Sequence, residues 1–266
     1  VMEKSTPSLA GTGFNAVARD ACYIGRGSKT LTQQAMATAF VGDIAFVRLH
    51  ENIGLAATTL DARVGALAAA VWPPHDLIHD FEFRDALPGT TSIVDAGGTA
   101  SLAQGPAVLH SVTLSSAGAD SSVAGGVIAP GAKVSGDASS FIEFAGGLSE
   151  IHGRITIEML ATVAASSPNN PALLSCGTTG SLAESVNIYV TSAFTKIRAG
   201  FYPAGGSLVE TLVDHNGILA VQPGKQYHIV VTIDSDEIRL LTAENGNGEA
   251  KLAATSDVPP DVFRPN

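Results

Sequence analysis

The chain has 266 residues, of which 45% are hydrophobic and 15% are charged, and it contains 28 glycines and 13 prolines. This composition is too apolar for a disordered chain and is typical of one or two globular domains. The 25 acidic residues outnumber the 15 Lys and Arg residues without any basic cluster, so nucleic acid is not an expected partner. Apolar stretches are all shorter than about 18 residues, which predicts neither a membrane span nor a signal peptide in these residues.

The N-terminal part of the chain is predicted to contain two strands and one short helix. The strands are Ala21 to Ile24 and Phe40 to Leu49, both rich in β-branched and aromatic residues. The segment from Leu55 to Val71 is rich in Ala and Leu, and its apolar residues recur at helical spacing. Pro73 and Pro74 end this segment, so we expect a helix that packs on the strands.

From Asp76 onward, the chain is predicted to consist of strands separated by turns. Apolar and polar residues alternate in most of these segments, as they do in sheets with one face in a core. Turn signals such as Asn216-Gly217 and Pro223-Gly224 separate them. The predicted strands cover residues 79–84, 91–94, 107–114, 141–144, 154–159, 172–176, 186–190, 196–201, 207–213, 227–233 and 237–242. The sequence therefore predicts an all-β sandwich of two antiparallel sheets with one short helix.

Cys22 and Cys176 are the only cysteines, and their wide separation excludes a CxxC metal knuckle or a redox dithiol. The preferred interpretation is that both are small buried hydrophobic residues. A single long-range disulfide is the alternative, because the number is even and the composition is typical of a secreted protein.

Several segments resemble those of one known superfamily. Phe81-Glu82-Phe83 followed by a turn to Asp95, the strand from Phe141 to Phe144, and the hairpin from Tyr227 to Leu241 resemble the strands of concanavalin A-like lectins and glucanases. Within that superfamily, the chain is most similar to laminin-G-like domains. This resemblance implies a jelly-roll sandwich, and it covers nearly the whole chain.

The order of the segments differs from that family. Segments similar to the closing strands and helix lie at the start, in residues 1–72, whereas residues 73–266 resemble the main body of the domain. Two arrangements are open: the parts form one permuted sandwich, or residues 1–72 complete a neighbouring copy. The single sandwich is favoured, because residues 73–266 alone would leave open sheet edges and an exposed apolar face.

No catalytic motif is found in the sequence. Glucanases of this superfamily carry carboxylates two residues apart on one strand, because alternate residues share a face and a retaining mechanism needs a close pair. Glu143 and Glu158 are isolated on their predicted strands, and the acidic residues from Asp234 to Glu237 lie at a predicted turn. The G-x-S-x-G elbow of a serine hydrolase is also missing. The chain is therefore not expected to be an enzyme.

Calcium is the cofactor that the resemblance implies. Laminin-G-like domains often bind Ca²⁺ at the rim of the sandwich through Asp and backbone carbonyl oxygens. By this resemblance, Asp43, Asp80 and Asp95 are the expected ligands, although no run of alternating acidic residues fixes them. The denser cluster from His75 to Asp80 is interpreted as a polar linker, because its two histidines would lie roughly 13 Å apart on a strand.

A sugar site usually combines an aromatic surface with a few planar polar groups. The candidate aromatic platforms are Trp72, Tyr189, Tyr202 and Tyr227, and the candidate hydrogen-bonding partners are Asn187, Arg198, His215 and Asn216. Packing within the fold is nevertheless the preferred explanation for each of them.

The expected function is that of a non-catalytic, lectin-like adhesion domain that binds a glycan or a protein and is secreted or lies on a cell or virion surface. The resemblance supplies this class, and the fold alone does not fix the ligand. The alternative is a structural subunit of a phage tail fibre or an extracellular filament. Such a subunit would join other copies of itself by head-to-tail strand exchange, which the phase-shifted ends and lysine-poor composition support.

Overall fold

The computed structural model describes residues 4–5, 21–27, 38–51, 77–83, 86–96, 106–114, 131–144, 155–164, 171–177, 185–190, 197–201, 209–212, 223–233, 237–244 and 251–257. Their regular structure is entirely β, and none of the described residues forms a helix that could span a membrane. The helix predicted from Leu55 to Val71 lies outside the described residues.

The strands, in chain order, are β1 (Lys4–Ser5), β2 (Ala21–Ile24), β3 (Thr38–Ala39), β4 (Val41–Glu51), β5 (Leu77–Glu82), β6 (Ser92–Ile93), β7 (Ala107–His110), β8 (Thr113–Leu114), β9 (Ala132–Ser135), β10 (Phe141–Phe144), β11 (Ile155–Val163), β12 (Pro171–Gly177), β13 (Val186–Val190), β14 (Ile197–Phe201), β15 (Val209–Leu212), β16 (Gln226–Ile233), β17 (Glu237–Glu244) and β18 (Lys251–Asp257).

These strands form two sheets that pack face to face, so the predicted all-β sandwich is confirmed. Sheet A has the order β1-β18-β17-β16-β11-β4-β9-β8, and β5 also pairs with β4. Sheet B has the order β15-β14-β13-β12-β2-β10-β7-β6, and β3 also pairs with β12. All described strand pairs are antiparallel except β1–β18 and β3–β12, which are parallel.

Two strands from the N-terminal part lie in the middle of the sheets. In sheet B, β2 pairs with β10 on one edge and with β12 on the other. In sheet A, β4 pairs with β11 on one edge, while β5 and β9 lie end to end along its other edge. Both sheets are therefore built from strands that are distant in sequence.

A single hydrophobic core fills the space between the sheets. Alternation along each strand directs one set of side chains inward, for example Ile142 and Phe144 of β10 or Ile157 and Met159 of β11. Each fully buried side chain of this size contributes about 1.5–3 kcal/mol. Tyr227, which the sequence suggested as a sugar platform, is 1% exposed in this core, so that interpretation is wrong.

Cys22 of β2 and Cys176 of β12 are joined by a disulfide bond. The two residues are directly opposite each other in the antiparallel pair, and their Cα atoms are 4.1 Å apart. The preferred interpretation as two free buried thiols is therefore wrong, and the alternative is confirmed. The bond links positions that are 154 residues apart in sequence, so it fixes β2 within sheet B.

On the outward faces of the sheets, exposure to solvent differs from strand to strand. Every residue of β11 is buried, including Glu158 on the face that points away from the core. The same is true of β13 in sheet B. By contrast, the outward residues of β7 and β10 are partly or fully exposed. The part of sheet B that β7 and β10 form is therefore open to solvent, as are the outward residues of β8 and β9 in sheet A.

Candidate functional site

Five side chains meet on this open part of sheet B: Tyr23, Arg26, His110, Phe141 and Glu143, which we call the aromatic cluster. Three neighbouring strands place them there, since Phe141 is directly opposite His110 and Glu143 is directly opposite Tyr23. The strand residues next to Tyr23, His110, Phe141 and Glu143 point into the core, so these four lie on the outward face, and Arg26 joins them through its contacts with two of the rings.

The Phe141 ring is the centre of the cluster. The His110 ring stacks on it with a centroid distance of 4.3 Å and an interplanar angle of 19°. The guanidinium carbon of Arg26 lies 4.1 Å from the same centroid, and the Tyr23 ring packs edge-on at 5.6 Å. Because β10 lies between β7 and β2, His110 and Arg26 approach the ring from opposite sides. Each such contact contributes about 0.5–1.5 kcal/mol, which holds the groups in one arrangement.

The charged groups of the cluster are open to solvent. His110 Nε2 lies 3.1 Å from a carboxylate oxygen of Glu143, and the two side chains are 38% and 41% exposed. A pair this exposed contributes only about 0.2–1 kcal/mol to folding. Arg26 donates from Nε to the Gly27 carbonyl at 3.4 Å, and no carboxylate of the described residues is within ion-pair distance of it. A ligand can therefore replace the water that hydrates these groups.

Gly25 determines where Arg26 points. Strict alternation after Ile24 would direct Arg26 toward the core, but Gly25 has a φ of +86°, which breaks the alternation. A Cβ at this position would lie 3.0 Å from a methyl carbon of Val134, so a larger residue would require Val134 to shift and would also be strained by the positive φ. Two backbone hydrogen bonds hold Gly25: its N–H donates to Leu173 O at 2.9 Å, and its carbonyl accepts from Phe40 N at 2.8 Å.

Ser140 determines how the ends of β7 and β10 meet. Its buried hydroxyl donates to the carbonyl of Ser111 and accepts from the N–H of Ser135, both at 3.0 Å. Ser111 directly follows His110 and has a φ of +48°, which non-glycine residues adopt in tight turns. Because Ser140 directly precedes Phe141, this pair of bonds fixes the two rings that stack in the cluster.

Three of the predicted sugar-binding residues lie on the same face of sheet B as the cluster. Asn187 and Tyr189 are outward residues of β13, and Arg198 of β14 is directly opposite Tyr189. However, Asn187 is 5% exposed and Tyr189 is 4% exposed. The Asn187 amide is bonded within the protein, to Ser175 Oγ at 2.6 Å and Ser185 Oγ at 3.0 Å. Asn187 and Tyr189 are therefore closed to a ligand, whereas Arg198 is partly exposed and the aromatic cluster is open.

The remaining predicted sugar-binding residues lie outside the described residues. They are Trp72, Tyr202, His215 and Asn216.

Two of the predicted calcium ligands are neighbours, but their carboxylates point apart. Asp95 accepts from the backbone N–H of Asp80 at 2.8 Å, and its other oxygen is 2.7 Å from Nδ1 of the buried His79. His79 faces the core, so the next side chain, Asp80, lies on the opposite face of sheet A, where it accepts from Arg48 Nε at 2.8 Å.

The third predicted calcium ligand, Asp43, lies elsewhere on the sheet. It is five positions before Arg48 on β4, which places it roughly 17 Å from the Arg48–Asp80 pair. In the part of the chain that the structure describes, no three His, Cys, Asp or Glu residues form a group that could hold a metal ion. The calcium site stays a prediction.

A second charged group lies on the outward face of sheet A. Arg48 is 4% exposed, and its guanidinium is paired with Asp80 and Glu82 and lies over the Phe46 ring at 4.6 Å. Glu158 is directly opposite Arg48 on β11 and is fully buried. This group is largely enclosed and is held by two ion pairs, so it is suited to holding strands together.

Sequence reasoning missed most of the aromatic cluster. Tyr23, His110 and Phe141 are outward positions of predicted strands, and that alternation was the available signal. Which strands are adjacent, however, depends on pairing between segments that are far apart in the chain.

Comparison of the chain with protein-family models, curated proteins and solved structures found no match. The fold and the aromatic cluster therefore define the class on their own: a two-sheet β-sandwich that carries an open, aromatic and charged cluster on the described part of sheet B.

Proposed function

We propose that this chain is a non-catalytic binding domain that recognises a glycan on the outward face of sheet B. The observation that carries this proposal is the aromatic cluster, in which stacked rings, a guanidinium and a carboxylate lie together on an open surface. Sugars present apolar C–H faces and hydroxyl groups at once, so they are bound by surfaces that combine rings with planar polar groups.

Each group of the cluster has a distinct role in this proposal. Phe141 has His110 on one side and Arg26 on the other, so it holds the site together. The outer side of the His110 ring and the 40% exposed Val108, which lies opposite Glu143, provide the surface for the sugar ring. Glu143 then accepts hydrogen bonds from sugar hydroxyl groups, and Arg26 donates hydrogen bonds to them.

A binding role fits this site better than glycoside hydrolysis. Hydrolysis requires two carboxylic groups on either side of the scissile bond. Glu143 is the one carboxylate in the aromatic cluster, and its oxygen is engaged with His110.

We propose a secreted, cell-surface or virion-surface location for the domain. The Cys22–Cys176 disulfide supports this location, because such bonds form and persist in oxidising compartments. The resemblance to laminin-G-like domains is part of the same proposal, as is a calcium ion at the rim of the sandwich.

The test is a glycan array probed with the wild-type chain, with the variants His110→Ala and Glu143→Gln, and with Lys133→Gln as a control. Lys133 is an exposed residue of β9, in the other sheet. We expect the wild type and Lys133→Gln to bind the same glycans, and both cluster variants to bind at least about tenfold more weakly, or about 1.4 kcal/mol. Repeating the array in EDTA tests calcium separately. Absence of glycan binding, or binding unchanged in both cluster variants, would contradict the proposal.

A structural subunit that assembles by strand exchange is the second candidate. The observation in its favour is that β2 and β4 occupy central positions, so the same strands from a neighbouring copy would fit the same places. In that case the disulfide would join Cys22 of one copy to Cys176 of the next. A denaturing gel without reductant would then show a ladder of linked chains, whereas a self-contained domain would run as a single chain.

A further inference from the structure

We infer that the glycan bound by the aromatic cluster is acidic, and that Arg26 receives its carboxylate or sulfate group. This inference rests on the proposed function and adds the chemical class of the ligand. It comes from how the protein holds the guanidinium of Arg26 and from what it places beside it.

The guanidinium of Arg26 is held in place by rings. It lies 4.1 Å from the Phe141 centroid and 4.5 Å from the Tyr23 centroid, and Nε donates to the Gly27 carbonyl. These contacts restrict the side chain before any ligand arrives, so less conformational entropy is lost on binding. Apart from Nε, no N–H group of Arg26 has a hydrogen-bond partner among the described residues, so the remaining N–H donors are left for a ligand.

Within the described residues, those remaining donors have no carboxylate partner. The one carboxylate of the cluster, Glu143, is bonded to His110. This is unusual in a chain with 25 acidic and 15 basic residues, where acids are abundant. Arg48 shows the ordinary outcome, because it is paired with two carboxylates. An open guanidinium fork matches the geometry of a carboxylate or a sulfate, both of which it can bind through two parallel hydrogen bonds.

The neighbouring groups narrow the ligand to a sugar with one acidic substituent. Glu143 is directly opposite Tyr23, so a carboxylate lies on the same small surface as Arg26. It would repel a second negative charge and accept from hydroxyl groups instead. A ligand that fits has an acidic group at Arg26 and hydroxyl groups at Glu143. A densely charged polyanion fits poorly, also because the chain has a net charge of −10.

The experiment is calorimetric titration of the full chain with sugars that have or lack one acidic group. The probes are lactose, sialyllactose and monosulfated lactose, together with galacturonate and its methyl ester. We expect the acidic member of at least one set to bind at least about tenfold tighter than its neutral counterpart, and this preference to weaken with added salt. Arg26→Gln should abolish the preference, Arg26→Lys should retain part of it, and Lys133→Gln should leave it unchanged.

The outcomes separate this inference from the proposed function. Equal binding of the neutral and acidic sugars, or an acidic preference that persists in Arg26→Gln, overturns the inference, while the proposed function stands if binding still needs His110 and Glu143. If only neutral glycans bind, on the array or in solution, the inference is likewise overturned. No binding of any glycan overturns both. A thermal melt of each variant confirms that a lost preference is not a lost fold.

Discussion

Arg48 and Arg26 lie on the outward faces of opposite sheets and both lie over aromatic rings, but they differ in burial and in ion pairing. Arg48 is buried and paired with Asp80 and Glu82. Arg26 is partly exposed and lies on two aromatic rings, with no carboxylate of the described residues beside it. The groups that neighbouring strands place beside an arginine therefore decide its role. Where carboxylates are in register, the arginine holds strands together, and where rings are in register, its charge is left for a partner.

We expect the largest loss of stability when the buried Arg48 is replaced. Arg48→Met removes the guanidinium from over the Phe46 ring and leaves Asp80 and Glu82 without their cation. We expect the free energy of unfolding to fall by about 3 kcal/mol, because removing one partner of a largely buried ion pair leaves charges uncompensated. The matched variant Arg26→Met should lose less than about 1 kcal/mol, since its contacts are partly exposed. Urea denaturation followed by circular dichroism measures both, and equal losses would contradict the comparison.

The second largest loss of stability is expected when the disulfide bond in sheet B is removed. The double variant Cys22→Ala/Cys176→Ala removes the covalent link between β2 and β12, and we expect it to lose about 2–4 kcal/mol of stability. Because the bond lies within sheet B, amide hydrogen exchange should accelerate more in β2 than in β4 of sheet A. A uniform acceleration across both strands would show that the bond does not act locally. Reduction of the wild-type chain provides an independent check.

Ser140 supports the open face without being part of it. Ser140→Ala leaves the Ser135 N–H without its acceptor and the Ser111 carbonyl without its donor, so we expect a loss of about 1–2 kcal/mol. Ser135→Ala is the matched control, because it removes an exposed hydroxyl and keeps the backbone N–H that Ser140 binds. We also expect Ser140→Ala to weaken glycan binding, since it loosens the ends of β7 and β10. Identical melting temperatures for the two variants would contradict this role.

The smallest effect concerns the turn that connects sheet A to sheet B. Hydrogen bonds from the backbone and side chain of Ser139 hold the pKa of the exposed Asp137 below its usual range. A carboxyl whose pKa is lower in the folded state stabilises the fold above its unfolded pKa, and this contribution is lost as the pH falls through the folded value. The stability difference between the wild type and Asp137→Ala should therefore be present at pH 7 and shrink below about pH 4. Melting curves across this range check the direction, and a difference that grows on acidification would contradict it.

The fold class could be predicted because the alternation of apolar and polar residues along a strand can be recognised within a short stretch of sequence. The predicted bounds of β10 and β13 agree with the structure. The predicted strand over residues 107–114 is divided in the structure, because the positive φ of Ser111 separates β7 from β8. The short strand β9 was missed, since its four residues carry little pattern of their own and depend on pairing with β4.

The candidate site could not be predicted to the same degree. The sequence placed Asn187 and Tyr189 on strands, but it could not show that their part of the face is closed. It also could not bring Tyr23 beside Phe141, because their strands become neighbours only when β2 enters the middle of sheet B. Burial and strand order are properties of the whole fold, so they cannot be recognised from short stretches of a single sequence.

The central position of β2 and β4 has a consequence for how the chain folds. The neighbours of these strands, β12 and β11, follow them by more than a hundred residues, and Cys22 is 154 positions from its partner. Contacts this distant must close long loops before they gain any stabilisation, which makes sandwiches of this kind slow folders. During synthesis, β2 and β4 leave the ribosome well before β12 and β11, so one edge of each strand stays without its partner until those later strands are made. The period of greatest risk of aggregation is therefore set by the time needed to synthesise the following hundred residues and more.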